Sequence, residues 1–140
     1  MMESEANLLE IKAERTISAA PKDVYDAWLN ADFPGTPWNA ASKLILDIKP
    51  DGLFYSRMND IAHYGRFIKL DPARGIQHSW VSSYTEGQES IVTVTFAPQG
   101  KGTRMTLVHS GLPNNAKGQA HEGGWRYFLD LFPQQFATVD

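Results

Sequence analysis

The chain has 140 residues, with 13 Lys and Arg against 16 Asp and Glu, for a formal net charge of −3. This length predicts one domain spanning residues 1–140, and the lack of a basic excess argues against a nucleic-acid partner or an anionic membrane surface. The absence of cysteine excludes disulfides, thiolate catalysis and Cys-ligated metals.

The N-terminal region predicts one strand followed by a short helix. Residues 1–7 are polar, and we expect them to be disordered. Apolar and charged residues alternate over residues 9–17, which predicts a half-buried strand. Pro21 suits the first position of a helix, and Asp23 suits the positive end of the helix dipole. We therefore expect a helix from Pro21 to about residue 30.

The segment 32–38 contains two prolines and a glycine, which break regular structure. We interpret it as a loop or one short helical turn, so that two short helices would follow the first strand. Phe33 and Trp38 are expected to plug the core from this segment.

The middle of the chain predicts six further strands joined by short turns such as Lys49-Pro50-Asp51-Gly52. The predicted strands cover residues 44–48, 53–58, 61–70, 76–83, 89–97 and 103–110. Short turns imply antiparallel hairpins, and a run of strands closed by a helix is typical of an α+β fold.

The C-terminal segment 121–136 carries large apolar residues at helical spacing. They are Trp125, Phe128, Leu129, Phe132 and Phe136. Such a face must be buried, so we expect a curved sheet of about seven strands to grip this helix. Gly123 and Gly124 should soften its entry. Pro133 removes a helical hydrogen bond, which predicts a kink or an end near Phe132 and puts the burial of Phe136 in doubt.

Five segments match a known pattern in their order and spacing. The first, residues 16–28, is a predicted strand followed by a proline and a helix. The next three are a strand start with a glycine and an aromatic residue (51–54), a strand with its turn (64–72) and a late strand (102–112). The last is the start of the final helix, residues 121–125 with Leu129. Together they resemble the START-like (SRPBCC) helix-grip superfamily, and within it the family of activator of heat-shock-protein ATPase homologues. One departure is that a tryptophan pair common after the first helices is reduced here to Pro37-Trp38. The resemblance implies a cavity between sheet and helix.

The sequence contains no motif for phosphate binding, dinucleotide binding or a nucleophile elbow. The four histidines are His63, His78, His109 and His121, and their spacing does not form a zinc motif. We therefore expect no metal and no cofactor.

Strand phase places several large residues on the inner face of the predicted sheet. The candidate ligand-binding residues are Trp38, Phe54, Met58, His78, Trp80, His109, Trp125 and Leu129. His78 and His109 share the phase of the apolar residues. They could be satisfied core histidines, polar handles for a ligand, or acid–base groups. The facing of the strand that carries His63 stays open, because either alternate set of its residues could point inward.

The leading functional hypothesis is a domain that binds a small apolar or aromatic ligand between the sheet and the final helix. A cyclase- or hydrolase-like enzyme using the cavity histidines is one alternative. A chaperone-ATPase-regulating interaction protein, as the resemblance implies, is another. The sequence leaves open whether the protein forms a homodimer. No apolar run approaches the roughly 18 residues of a membrane span, and a cytoplasmic location is expected.

Overall fold

The computed structural model describes residues 8–136 and places seven antiparallel strands in one curved sheet against a long helix. The strands are β1 (Leu9–Ile17), β2 (Lys43–Leu46), β3 (Leu53–Met58), β4 (Ile61–Asp71), β5 (Gly75–Trp80), β6 (Ser90–Gln99) and β7 (Gly102–Leu112). Their order in the sheet is β1-β7-β6-β5-β4-β3-β2. The predicted α+β helix-grip fold is confirmed, whereas the expectation for residues 1–7 lies outside the described residues.

Two α-helices and two 3-10 helices complete the described fold: α1 (Pro21–Trp28), α2 (Ala116–Leu131), and 3-10 turns at Ser83–Thr85 and Phe132–Phe136. Pro21 opens α1 and Asp23 lies in its first turn, as the sequence predicted. Within residues 8–136, no helix is both long and apolar enough to cross a membrane.

The long helix begins earlier than the sequence pattern indicated. The side chain of Asn115 accepts hydrogen bonds from the backbone N–H groups of Lys117 and Gly118, so it caps the helix and starts it at Ala116. Gly123 and Gly124 therefore lie inside α2, and the expectation that they soften its entry is wrong.

The end of α2 agrees with the expectation drawn from Pro133. The helix stops at Leu131 and the chain continues as a 3-10 helix, since Pro133 has no N–H to bond the preceding turn. Phe136 is partly buried and packs against Phe33 and Phe132, at ring-centroid distances of 5.0 and 5.1 Å.

The expected second short helix after β1 is not formed. Residues 31–40 are a series of turns, because Pro34 and Pro37 interrupt the backbone hydrogen bonding and Gly35 has a φ of +91°. A single helical turn remains where the N–H of Ala40 bonds the carbonyl of Thr36 at 3.1 Å. Phe33 and Trp38 do plug the core from this segment: Trp38 is fully buried and Phe33 partly buried.

The strand register settles which face of β4 points inward. Ser56 pairs with His63 and Met58 pairs with Ile61, and directly paired residues on antiparallel strands project to the same side. Ser56 is completely buried, so His63 and Ile61 point toward α2. Tyr64 lies on the outer face and is 48% exposed.

The C-terminal part of α2 packs against β1, and the following 3-10 helix Phe132–Phe136 packs against β1 and α1. We call this region the packed end. Phe132 is completely buried, and its ring lies 5.0 Å from that of Trp28 and 5.4 Å from that of Phe33, measured between centroids. An ion pair between Arg15 of β1 and Asp130 of α2, at 2.7 Å, joins the two elements at the surface.

Candidate functional site

A half-open cleft of about 720 Å³ lies between the N-terminal part of α2 and the strands β3, β4 and β5. Its walls are aromatic and aliphatic, with a few polar groups among them. The lining residues are Ala40, Met58, Asn59, Ile61, His63, Trp80, Tyr84, Ala120, His121, Gly124, Trp125, Tyr127 and Phe128. None of them is Asp, Glu, Lys or Arg, so the cleft carries no formal charge while its histidines are neutral.

The cleft exists because α2 presents small residues where it passes over this part of the sheet. Ala120 and Gly124 line the cleft from the helix. A Cβ added at Gly124 would meet no heavy atom within 4 Å. On the sheet side, Asn59 and Asp60 both have positive φ, the geometry of a tight hairpin turn, and this turn brings Met58 and Ile61 together at the floor.

The eight residues predicted to bind a ligand divide into two groups. Met58, Trp80 and Trp125 line the cleft. The other five are buried in the core beside it and do not line it: Trp38, Phe54, His78, His109 and Leu129. A ligand contact for any of the eight stays a prediction.

His109 joins the sheet to α2 through a buried hydrogen-bond network. The indole N–H of Trp125 donates to His109 Nδ1 at 2.9 Å. Nδ1 must then be an acceptor, so Nε2 carries the proton of the neutral ring and donates to Ser90 Oγ at 2.7 Å. The Ser90 hydroxyl in turn donates to the Trp80 carbonyl at 2.6 Å. Each of these polar groups has a partner.

This network favours the structural role among the alternatives for His109. Burial, with smaller contributions from His121 and His78, lowers the pKa of His109 to about 2, so the ring is neutral near physiological pH. Both ring nitrogens are already hydrogen-bonded, which leaves neither lone pair nor proton for a substrate. An acid–base role for His109 gains no support from this geometry.

His78 is likewise a core residue, surrounded by the rings of Trp38, Phe54, Phe67 and Trp80. Its Nδ1 donates to a backbone carbonyl, that of Ser79, at 2.9 Å. Burial lowers the pKa of His78 to about 4.

Two other histidines, His63 and His121, line the cleft, and neither is among the eight residues predicted to bind a ligand. Burial lowers the pKa of both, against the opposing effect of the backbone carbonyls they contact. His121 lies four residues before Trp125, so helical spacing alone could have placed it on the same side of α2. His63 could not be placed without the register of β3 and β4.

Comparison with known proteins identifies the family. A family model described as "Activator of Hsp90 ATPase homolog 1-like protein" matches residues 18–137. The chain belongs to this family. The resemblance drawn from the sequence segments is therefore confirmed.

One curated relative of this activator family is the "Activator of 90 kDa heat shock protein ATPase homolog" of Dictyostelium discoideum. It is 27% identical over 135 residues, covering 91% of this chain and 33% of the relative. This chain thus spans about a third of the length of that protein.

Solved structures show that the fold is shared. A Mesorhizobium loti protein, MLL2253, superposes with a TM-score of 0.77 at 18% identity, covering 94% of this chain and 99% of that one. An HSP90 activator from Plasmodium falciparum gives a TM-score of 0.72 at 21% identity, covering 87% and 91% of the two chains. At these identities the likeness supports the fold alone.

The part of the chain from residue 8 to residue 136 offers no candidate metal centre. No three His, Asp or Glu side chains in it are grouped closely enough to hold an ion.

Proposed function

We propose that this member of the activator family binds a small apolar or aromatic molecule in the cleft under the N-terminal part of α2. The observation that carries the proposal is the cleft itself, about 720 Å³ with walls built from Met58, Ile61, Trp80, Trp125 and Phe128. Its size lies within the range of roughly 300–1,000 Å³ typical of small-molecule sites, which are lined mainly by apolar and aromatic side chains.

Two adjacent glycines of α2 offer a matched test. Gly124 lines the cleft, whereas Gly123 does not, and an added Cβ meets nothing within 4 Å at either position. Leucine is favoured over glycine in a helix interior by roughly 0.8 kcal/mol, so neither Gly124→Leu nor Gly123→Leu should unfold the protein. Only Gly124→Leu places a side chain inside the cleft.

Binding can be followed by isothermal titration calorimetry, with 2-methylnaphthalene as the first probe and substituted indoles and naphthalenes as a panel. We expect saturable binding to the parent protein and to Gly123→Leu. Gly124→Leu should weaken binding at least about tenfold, since the leucine occupies ligand volume. No saturable binding across the panel, or equal binding by both variants, would contradict the proposal.

A second candidate function is regulation of an Hsp90-type chaperone, and family membership together with one surface feature favours it. The outer face of β2, β3 and β4 exposes apolar side chains at Ile45 (65%), Leu53 (64%) and Tyr64 (48%). Exposed apolar groups on neighbouring strands are typical of surfaces that meet another protein.

This second candidate is tested by measuring chaperone ATPase activity with and without the protein. Stimulation that is lost in Leu53→Ser and retained in Gly124→Leu would support it and assign it to the outer face. An ATPase rate unchanged by the parent protein at saturating concentration would argue against it.

A further inference from the structure

We infer that the cleft takes an uncharged aromatic molecule bearing a hydroxyl group, whose proton is accepted by Nε2 of His63 or His121. The inference rests on the proposed ligand-binding function and adds the chemistry of recognition to it. It follows from the tautomers of the two imidazole rings, from their position in the cleft and from the charge of the lining residues.

The tautomer of each ring follows from its hydrogen bonds. His121 Nδ1 lies 3.1 Å from the Gly118 carbonyl oxygen and 3.2 Å from that of Lys117. His63 Nδ1 lies 3.3 Å from the Ser56 carbonyl oxygen. A carbonyl can only accept, so the proton of each neutral ring is on Nδ1 and the lone pair is on Nε2.

Within residues 8–136, no hydrogen bond reaches Nε2 of either ring, although both residues line the cleft. His109 is different, because its two nitrogens are both bonded inside the protein. Thus the buried histidine is satisfied, and the two at the cleft each keep one acceptor. A ligand that donates a hydrogen bond to such a half-buried, unused acceptor would gain binding free energy from that bond.

The two rings approach the cleft from opposite sides. His63 belongs to the sheet, and its ring centroid lies 5.0 Å from that of Trp80. His121 belongs to α2, with its centroid 5.0 Å from that of His109 and 6.5 Å from that of Tyr84. A flat ligand against Trp80 and Trp125 would therefore have an acceptor at the sheet and another at the helix.

The lining favours a neutral ligand over an anion. No Lys or Arg lines the cleft, and burial, which lowers the pKa of His63 and His121, keeps both rings uncharged near neutral pH. A carboxylate or phosphate would lose its hydration without gaining a cation. An aromatic hydroxyl supplies the donor that the imidazoles lack, and its ring matches the aromatic walls.

Three probes of similar size separate these contributions: 2-methylnaphthalene, 2-naphthol and 2-naphthoate, titrated near neutral pH by isothermal titration calorimetry. We expect 2-naphthol to bind about fivefold to tenfold more tightly than 2-methylnaphthalene, the gain of one net hydrogen bond. We expect 2-naphthoate to bind more weakly than 2-methylnaphthalene.

Two variants test whether the histidines supply that gain. His63→Phe and His121→Phe keep a flat ring and remove the acceptor. In at least one of these two variants, the affinity for 2-naphthol should fall to that for 2-methylnaphthalene. The affinity of that variant for 2-methylnaphthalene should stay within about twofold of the parent protein's. Tyr64→Phe is the matched control: it removes a hydroxyl from the outer face of β4, away from the cleft, and the preference for 2-naphthol should remain.

The outcomes separate this inference from the proposed function. If none of the probes binds, the ligand-binding function itself fails. If 2-methylnaphthalene and 2-naphthol bind equally, or the preference survives both histidine variants, the cleft still binds ligands but the inferred recognition is wrong. Tighter binding of 2-naphthoate would overturn the inference of a neutral ligand.

Discussion

The two halves of α2 lie over the same sheet but meet it in different ways. Toward its C-terminus, Leu129 is completely buried, as is Phe132 of the 3-10 helix that follows, whose ring packs against Trp28 of α1. Toward its N-terminus, the helix presents Ala120, His121 and Gly124 to a cleft that the protein leaves unfilled. Trp125 lies at the boundary, where it both lines the cleft and donates to His109.

This difference shows how one helix can serve both stability and binding. Large aromatic residues at the packed end supply buried apolar area, the main favourable contribution to folding. Small residues about two to three turns earlier give up such area and leave room for a ligand. The hydrogen bond from Trp125 to His109 ties the helix to the sheet between these two regions, beside the open cleft.

Truncation of Phe132, at the packed end, and of Phe128, which lines the cleft, should give the largest contrast. Phe132→Ala removes a fully buried ring from a packed cluster and should lower the free energy of unfolding by about 3–5 kcal/mol. Phe128→Ala borders space that is already open, so we expect a loss of only about 1–2 kcal/mol.

Urea unfolding monitored by circular dichroism measures both losses. The two variants should also differ in function, because Phe128→Ala widens the cleft whereas Phe132→Ala does not touch it. Equal losses of stability would mean that the cleft is closed in solution and that the two halves are packed alike.

Acid should destabilise the protein through its buried histidines. Burial lowers the pKa of His78 to about 4 and that of His109 to about 2, while the unfolded chain titrates near 6.5. Below that value the unfolded state binds more protons than the folded state, so stability present above pH 6.5 is lost as the pH falls. By pH 5 the two rings together should cost roughly 2–4 kcal/mol.

The measurement is the free energy of unfolding by urea across the range from neutral to mildly acidic pH, above the titration of most carboxylates. His78→Gln is the informative variant, because it removes one titrating ring. It should reduce the slope of unfolding free energy against pH by about 1.4 kcal/mol per pH unit, whatever the absolute stability of the variant. A stability that stays flat over this range would show that the two rings titrate normally.

Much of the fold was predictable from local pattern. The alternation in β1, the turn at Asp51-Gly52 and the apolar spacing of Trp125, Phe128 and Leu129 predict their elements without any tertiary information. The start of α2 was missed because Asn115 lies outside the apolar periodicity, and only its side-chain bonds to Lys117 and Gly118 reveal the cap.

The site was less predictable, because strand phase separates inward from outward but does not separate filled space from open space. His78 and His63 both face inward, yet His78 is surrounded by aromatic rings whereas His63 borders a cleft. That distinction depends on the small residues of α2, which lie far away in sequence. Ala120 and Gly124 carry no chemical signature that would mark them as the origin of a binding site.

The smallest predicted effect concerns two glycines that share a backbone conformation and differ in their surroundings. Gly35 has a φ of +91°, and a Cβ there would lie 2.6 Å from Cα of Phe132 at the packed end. Gly87 has a φ of +75°, and a Cβ there would meet nothing within 4 Å. Both alanine variants bear the cost of a left-handed backbone, about 1 kcal/mol, but only Gly35→Ala must also move the backbone of the 3-10 helix that follows α2. We expect Gly35→Ala to lose about 2 kcal/mol more than Gly87→Ala in thermal or urea unfolding, and equal losses would mean that the turn segment does not press against Phe132.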